Sequence, residues 1–244
     1  MNRAEFRFYE ELNDFLPRGR RRTSFEQGFF GNPAVKDTVE ALGVPHAEVD
    51  LILVNGESVS FSHHLHDGDR VAVYPVFESL DLSGVTRLRE RPLREPTFIL
   101  DVHLGKLARY LRLFGFDSSY RNDFQDEEII RIAADEKRII LTRDLGILKN
   151  GRVTHGYWLR SQEPQEQLRE LFDRLDLSGC VRPFTRCPVC NGVLERLARE
   201  AVAGALPPAT RERYEEFARC RSCGHIYWKG SHYGALRALV ERYA

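Results

Sequence analysis

Four of the five cysteines in this 244-residue chain form two Cys-x-x-Cys pairs. The first pair is Cys187 and Cys190, and the second pair is Cys220 and Cys223. A gap of two residues lets both thiolates of a pair reach one metal ion, and four sulfur ligands are typical of tetrahedral Zn²⁺. Because sulfur would fill all four coordination positions, we expect a structural zinc site and not a catalytic one.

The two pairs belong to a predicted C-terminal zinc ribbon that spans residues 183–244. The 29 residues between the pairs exceed the usual spacing of about 15–20. This insert contains Pro207-Pro208, and its apolar pattern predicts a helix over Arg211–Phe217. His225 is an alternative ligand, although the four cysteines already fill the site. A redox role for either pair would need a thioredoxin-like setting and is the weaker interpretation.

The composition is typical of a soluble globular protein, with 42% hydrophobic residues. No apolar run is long enough to span a bilayer. The start, Met1–Glu10, lacks the apolar core of a signal peptide. We therefore expect a cytoplasmic protein without a membrane partner. In a reducing compartment, paired cysteines favour metal binding over disulfide formation.

Charge is distributed unevenly, although the net charge is zero. Residues 1–85 carry 8 basic and 14 acidic side chains, a net charge of −6. Residues 86–176 carry 17 basic and 16 acidic side chains, a net charge of +1. Residues 177–244 carry 11 basic and 6 acidic side chains, a net charge of +5. Zinc with four thiolates would add about −2 to the last value. The C-terminal segment is therefore suited to attract nucleic acid, and the acidic N-terminal segment is not.

Residues 1–80 have the pattern of a small α+β domain. Ala34–Leu42 predicts a helix, and Leu51–Val54 and Arg70–Pro75 predict strands. Between the strands, Asn55-Gly56 is a strong hairpin turn signal.

The segments Val54–Ser58 and His66–Val71 resemble the β-grasp sulfur-carrier family related to ubiquitin. That family acts through a C-terminal Gly-Gly, whereas this chain continues past Pro75 without one. The resemblance therefore implies the β-grasp fold but not the sulfur chemistry. It also makes the N-terminal domain a candidate binding surface for a protein partner.

Residues 96–178 alternate strands and helices, which is typical of a three-layer α/β domain with a parallel sheet. The predicted elements are a strand at 98–100, a helix at 104–114, a strand at 116–120, a helix at 127–136, strands at 138–142 and 153–159, and a helix at 165–175. Residues 81–95 read as a linker with four arginines, which are either solvated or in contact with a phosphate backbone.

Acidic side chains follow two of the predicted parallel strands. Asp101 and Asp144 each come directly after an apolar strand, where sites form in open parallel sheets. Asp126 precedes the helix between them. Carboxylates without a partnering histidine or cysteine suit Mg²⁺ or Mn²⁺ and the hydrolysis of a phosphodiester bond. Two simpler interpretations remain open, in which Asp126 is a helix cap and Asp144 is a turn residue.

Basic side chains accompany these acids. Lys106, Arg109 and Arg112 recur every three residues on the helix after Asp101, and Arg143 precedes Asp144. Such residues are reasonable phosphate contacts, although basic stripes on helices are often only solvated.

Three segments resemble, in the same order, a PIN-like ribonuclease family named for the C-terminal domain of a nematode silencing exonuclease. They are Phe98–Arg112, Asp126–Ile129 and Ile140–Asp144. Bacterial members combine a ubiquitin-like start, a PIN-like core and a C-terminal zinc ribbon. The resemblance implies metal-dependent RNA cleavage, with the metal on Asp101, Asp126 and Asp144 and with substrate contacts from Lys106, Arg109, Arg112 and Arg143. Asp123 and Glu128 are candidates for a fourth acid.

Ile226-Tyr227-Trp228 follows the second cysteine pair. These residues either form the strand that packs the small ribbon or, for Trp228, stack on unpaired RNA bases. We therefore expect a metal-dependent ribonuclease that has a zinc ribbon assisting RNA binding. The alternative is a non-catalytic RNA-binding or adaptor protein with a degenerate PIN-like domain.

Overall fold

The computed structural model describes residues 1–75, 88, 96–202 and 205–243, and it leaves out the side chain of Arg211. The chain divides into two compact units. The first unit comprises Met1–Arg94 and Gln125–Arg160, and the second comprises Glu95–Phe124 and Ser161–Ala244. The predicted linker at 81–95 lies outside the described residues, except for Leu88.

The strands are numbered in chain order as β1 (Asn2–Phe8), β2 (Phe25–Phe29), β3 (Val49–Val54), β4 (Glu57–Ser58), β5 (Arg70–Pro75), β6 (Phe98–Leu100), β7 (Ser118–Ser119), β8 (Ile139–Thr142), β9 (Gly156–Trp158), β10 (Leu194–Leu197), β11 (Phe217–Cys220) and β12 (Ile226–Trp228). The helices are α1 (Val35–Ala41), α2 (Gly105–Leu113), α3 (Asp126–Glu136), α4 (Leu145–Leu148), α5 (Pro164–Leu175), α6 (Pro208–Arg213) and α7 (Tyr233–Glu241).

The N-terminal part of the first unit is a five-stranded mixed sheet in the order β2-β1-β5-β3-β4. Strands β1 and β5 are parallel, and the other neighbours are antiparallel. Along β1, the alternation of apolar and polar residues buries Ala4, Phe6 and Phe8 on one face. At the predicted turn, Asn55 and Gly56 have φ values of +53° and +89°, which a type I′ hairpin requires. The expected β-grasp arrangement is confirmed.

The first unit also contains α3, β8, α4 and β9, and β8 and β9 are parallel. The loop before β3 contacts this α/β segment. The ring of His46 lies 2.9 Å from the carbonyl oxygen of Val153. The buried carboxylate of Glu48 accepts the N–H of Trp158 and faces Arg160. Burial raises the pKa of Glu48 to about 7, although Arg160 acts in the opposite direction. The β-grasp sheet and residues 125–160 therefore share one packed unit.

In the second unit, β6 pairs in parallel with β7, and helix α5 packs against α2. The rings of Phe114 and Phe172 lie 5.0 Å apart between these two helices. Helix α2 ends where expected, because Gly115 adopts a φ of +95° directly after the helix cap at Phe114. The central parallel α/β part was expected from the sequence and is confirmed.

The ribbon is a three-stranded antiparallel sheet in the order β10-β11-β12. The strand predicted at 226–228 is confirmed as β12. The helix predicted over Arg211–Phe217 was wrong, because α6 begins at Pro208 and ends at Arg213. Proline is favoured in the first turn of a helix, where its missing N–H is not needed. Phe217 is buried and pairs with Trp228 in the sheet, so tertiary pairing overrides its helical pattern.

Replacing Gly115 with alanine should destabilise the second unit. An added Cβ would lie 2.0 Å from the carbonyl oxygen of Arg182, and φ is positive at this residue. We expect the free energy of unfolding to fall by about 2–4 kcal/mol, measured by urea denaturation of the zinc-loaded chain. The control is Gly179→Ala, because a Cβ there meets nothing within 4 Å. Equal stability of the two variants would contradict the assigned clash.

Candidate zinc centre and carboxylate positions

The sulfur atoms of Cys187, Cys190, Cys220 and Cys223 all lie within 4.8 Å of one another. The sulfurs of Cys187 and Cys223 are 3.8 Å apart, and those of Cys190 and Cys220 are 3.4 Å apart. Zinc–sulfur bonds of about 2.3 Å in a tetrahedron place the sulfurs about 3.8 Å from each other. The four cysteines therefore fit a closed Zn²⁺ site.

The two cysteine pairs adopt the same turn. In the first turn, the N–H of Asn191 donates to the carbonyl of Cys187 at 2.9 Å. In the second turn, the N–H of Gly224 donates to the carbonyl of Cys220 at 3.0 Å. Asn191 and Gly224 have φ values of +70° and +74°. The residue after each pair is thus left-handed, which folds each chain segment into a knuckle around its two thiols.

Backbone donors prepare the cluster for negative charge. Burial disfavours the Cys220 thiolate, but the N–H groups of Cys223 and Ser222 and the neighbouring thiols outweigh this and lower its pKa to about 6. Burial and hydrogen bonds with the other thiols raise the pKa of Cys190 to about 12. The backbone N–H groups of the second knuckle therefore favour the thiolate form of Cys220.

Tyr227 contacts the cluster from β12, and its hydroxyl lies 3.0 Å from the sulfur of Cys187. The hydroxyl is the donor when that sulfur is a thiolate. Burial raises the pKa of Tyr227, and so does the hydrogen bond to Cys187. Sequence reasoning placed this residue in a strand but missed its contact with the metal site. The alternation of β12 offers a signal, because Tyr227 faces opposite to Trp228.

Arg112 is only 3% exposed, so its side chain does not lie on a surface that RNA reaches. Its Nε donates to the carbonyl of Ser118 at 2.9 Å. One of its terminal nitrogens donates to the carbonyls of Pro188 and Val189, within the first knuckle, at 3.2 and 2.9 Å. The expected substrate contact is therefore replaced by a structural role, in which Arg112 ties α2 to the zinc knuckle.

The electrostatics of Arg112 fit this role. Burial lowers the pKa of the guanidinium, and the nearby charges of Cys190, Cys187 and Asp117 act in the opposite direction. A buried cation is tolerated where acceptors and negative charge surround it. Negative charge on Cys187 and Cys190 would therefore stabilise the buried guanidinium of Arg112, and Arg112 would in turn stabilise that charge.

Asn191 makes a second connection between the knuckle and the α/β segment of the same unit. Its side-chain oxygen accepts the N–H of Ser118 at 3.0 Å, and its side-chain nitrogen donates to Asp117 at 2.8 Å. Arg186 completes the network, because its terminal nitrogen Nη2 lies 3.1 Å from the other carboxylate oxygen of Asp117. The first knuckle thereby provides hydrogen-bond partners for the backbone of strand β7 and for the side chain that precedes it.

The structure gives each expected metal-binding aspartate a different local setting. Asp101, in the second unit, directly follows β6 and is 7% exposed. Asp126, in the first unit, is the first residue of α3 and is exposed. The cap of that helix is Gln125, so the reading of Asp126 as the cap residue was wrong.

Asp144, also in the first unit, follows β8 and caps α4. Its Oδ1 accepts the N–H of Gly146 at 2.7 Å. Asp144 is therefore a helix N-cap in the structure and not the turn residue of the alternative interpretation. Its backbone N–H is fixed by the hydroxyl of Thr142 at 2.9 Å.

The remaining expected site residues lie mostly on the surface. Lys106, Arg109 and Arg143 are exposed. Of the candidates for a fourth acid, Glu128 is half-buried on the first turn of α3. Asp123 is exposed and lies 2.9 Å from Arg121, which lowers its pKa through a hydrogen bond.

A family model of the Mut7-C RNase domain matches residues 96–240, and a model of the Mut7-C ubiquitin domain matches residues 1–81. The chain belongs to the Mut7-C RNase family. The two matched ranges agree with the ubiquitin-like start and the PIN-like core that were expected from the sequence. The RNase domain as matched includes the cysteine knuckles, in agreement with their packing against α2 and β7. Membership indicates a nuclease-type function, with RNA as the substrate class.

Two solved structures of small archaeal modifier protein 1 from Haloferax volcanii also match the Mut7-C chain. They are 20% and 19% identical to it, cover 32% of it and 100% of their own length, and both have a TM-score of 0.26. No curated protein matches the chain. Among the residues that the structure describes, none belongs to a helix of the length and apolarity that crossing a membrane requires.

Replacing Arg112 with glutamine should weaken zinc binding without touching a ligand, because the first knuckle loses its link to α2. We expect a chelator to extract zinc at least about 10-fold faster, as is typical for residues that support metal ligands. The matched control is Arg109→Gln, which removes an exposed arginine from the same helix. The assigned role is refuted if both variants release zinc at the wild-type rate.

Proposed function

We propose that this protein is a metal-dependent ribonuclease that hydrolyses RNA phosphodiester bonds. The observation that carries the proposal is the match of the Mut7-C RNase domain over residues 96–240. This range contains Asp101, Asp126 and Asp144 together with the cysteine knuckles. A cytoplasmic location is part of the proposal, as is a protein partner that binds the ubiquitin-like domain.

The donor set favours Mg²⁺ or Mn²⁺ as the catalytic metal. Asp101, Asp126 and Asp144 offer carboxylate oxygens, which these ions prefer to nitrogen or sulfur. A divalent ion held there would lower the pKa of a bound water and stabilise the charge that develops on the phosphate. Asp144 presents one oxygen to the helix cap, which orients its carboxylate and leaves the other oxygen to serve as a ligand.

Exposed basic residues support RNA binding beside these acids. Lys106 and Arg109 lie on α2, which begins four residues after Asp101, and Arg143 directly precedes Asp144. Their charges suit contacts with phosphate oxygens, which position a nucleic acid without reading its sequence. Arg112 is not part of this proposed surface because it is buried.

The zinc ribbon is proposed to assist RNA binding. Trp228 is 40% exposed, and its ring lies 6.5 Å from that of Tyr214. Exposed aromatic rings stack on unpaired bases. Part of the positive charge of the ribbon is paired, since Glu195 contacts Arg219 and Arg221. Even so, basic residues outnumber acidic ones over 177–244.

A second candidate is a non-catalytic RNA-binding adaptor. Two contacts favour it: Asp144 uses one oxygen to cap α4, and Asp123 is paired with Arg121. Both acids therefore make structural contacts that do not require a metal.

Replacing Asp144 with asparagine separates the two functions. Asparagine keeps an oxygen for the N–H of Gly146 but removes the charge that a divalent ion needs. We expect Mn²⁺- or Mg²⁺-dependent cleavage of single-stranded RNA to fall at least about 100-fold, with unchanged thermal stability. Asp101→Asn should have the same effect on cleavage.

The matched control is Asp135→Asn, which alters an exposed acid of α3 that lies 3.5 Å from Arg131. It should cleave like the wild type. Equal cleavage by the wild type and Asp144→Asn would place the chemistry elsewhere. A wild type that binds RNA but does not cleave it in either metal would support the adaptor.

A further inference from the structure

Three possible metal ligands lie close together in the β-grasp domain. In the sequence, they are distant from the four cysteines and from the three proposed catalytic aspartates. His63, His66 and Asp69 each offer one ligand atom, and these atoms all lie within 4.8 Å of one another. The Nδ1 of His66 is 3.9 Å from the Oδ2 of Asp69. The two imidazole rings are 6.4 Å apart and inclined by 69°. The three side chains thus converge from the loop between β4 and β5.

Asp69 is held in place for a ligand role. It is 7% exposed, its Oδ1 accepts the side-chain N–H of Asn55 at 2.8 Å, and its Oδ2 accepts the backbone N–H of His66 at 2.8 Å. Each carboxylate oxygen has two acceptor positions, so both keep one for a metal. Asn55 is itself fixed by the N–H of Arg70, at 2.9 Å from its side-chain oxygen. Hydrogen bonds of this kind orient metal-binding carboxylates.

The loop that carries the two histidines is anchored to the domain. The carbonyl of His63 accepts the N–H of Val35 at 2.8 Å, and the N–H of Leu65 donates to the carbonyl of Pro33 at 3.0 Å. The side chain of Leu65 is fully buried in the domain core. His63 and His66 therefore flank a residue, Leu65, that is fixed in the core. A metal ion would have to order only the two histidine side chains. This reduces the entropy lost on binding.

We propose that His63, His66 and Asp69 form a second metal site, for a transition-metal ion of the Zn²⁺ or Ni²⁺ class. Imidazole nitrogens with one carboxylate suit these ions, whereas Mg²⁺ prefers oxygen ligands alone. Metal bonds of about 2.0–2.2 Å need the ligand atoms to approach by roughly 1 Å, which rotation of the histidine side chains provides. His66 is exposed, so water completes the coordination.

The chain offers an internal control for this site. His64 lies between the two ligands in the sequence, but its Nδ1 is 2.7 Å from the carbonyl oxygen of Asn32. It belongs to the same loop, but its ring nitrogen is directed at that carbonyl and His64 is not one of the three converging ligands. Its replacement changes the histidine content of the loop without changing the site.

The test is calorimetric titration of Zn²⁺ into the full chain, with the four cysteines already loaded with zinc and Mg²⁺ in excess. We expect the wild type to bind one further equivalent of Zn²⁺ and to gain thermal stability from it. His63→Ala and His66→Ala should each weaken this binding at least about 10-fold, because each removes a ligand, and His64→Ala should not change it. The thermal unfolding of each variant before Zn²⁺ is added, compared with that of the wild type, checks that the β-grasp domain is folded.

Two results would overturn the proposal. One is the absence of a further equivalent in the wild type, and the other is a loss in His64→Ala as large as in His63→Ala. Asp144→Asn should keep the further equivalent. The outcome is therefore independent of whether the proposed nuclease activity is found.

Discussion

A buried guanidinium beside the zinc knuckle is the interaction on which the second unit depends. Arg112 projects from α2, and the N–H groups of its guanidinium donate to the carbonyls of Ser118, Pro188 and Val189. Its positive charge also faces the thiols of Cys190 and Cys187. A cation in this position is stable only while the knuckle keeps its shape and charge. A metal ion on these thiols would therefore link its own binding to the packing of α2.

The sequence predicted most of the local structure because periodicity and turn chemistry act over a few residues. The Asn55-Gly56 turn and the end of α2 at Gly115 follow from backbone conformations that these residues favour. The helix predicted at 211–217 failed because Phe217 is used by the ribbon sheet. Pairing between distant segments decided that residue, and no local pattern reports it.

The role of Arg112 needed the three-dimensional structure. In the series Lys106, Arg109 and Arg112, each step of three residues turns about 60° around the helix, so the third side chain leaves the exposed stripe. It approaches the face of Ala108 and Leu111, which are buried. The sequence showed this drift but not the carbonyl groups that receive the guanidinium, because they lie 76 and 77 residues away. The three proposed catalytic aspartates were found from their positions after strands and before a helix, and their metal role stays a prediction.

The central claim is that the zinc knuckles are part of the RNase domain and not an appended module. Hydrogen exchange of the full chain before and after zinc removal tests it most directly. We predict that residues 105–119 lose protection together with the ribbon strands, because Ser118 and Arg112 lose their partners in the knuckle. The β-grasp sheet should stay protected and serves as the internal reference. Loss of protection confined to residues 183–230 would contradict the account.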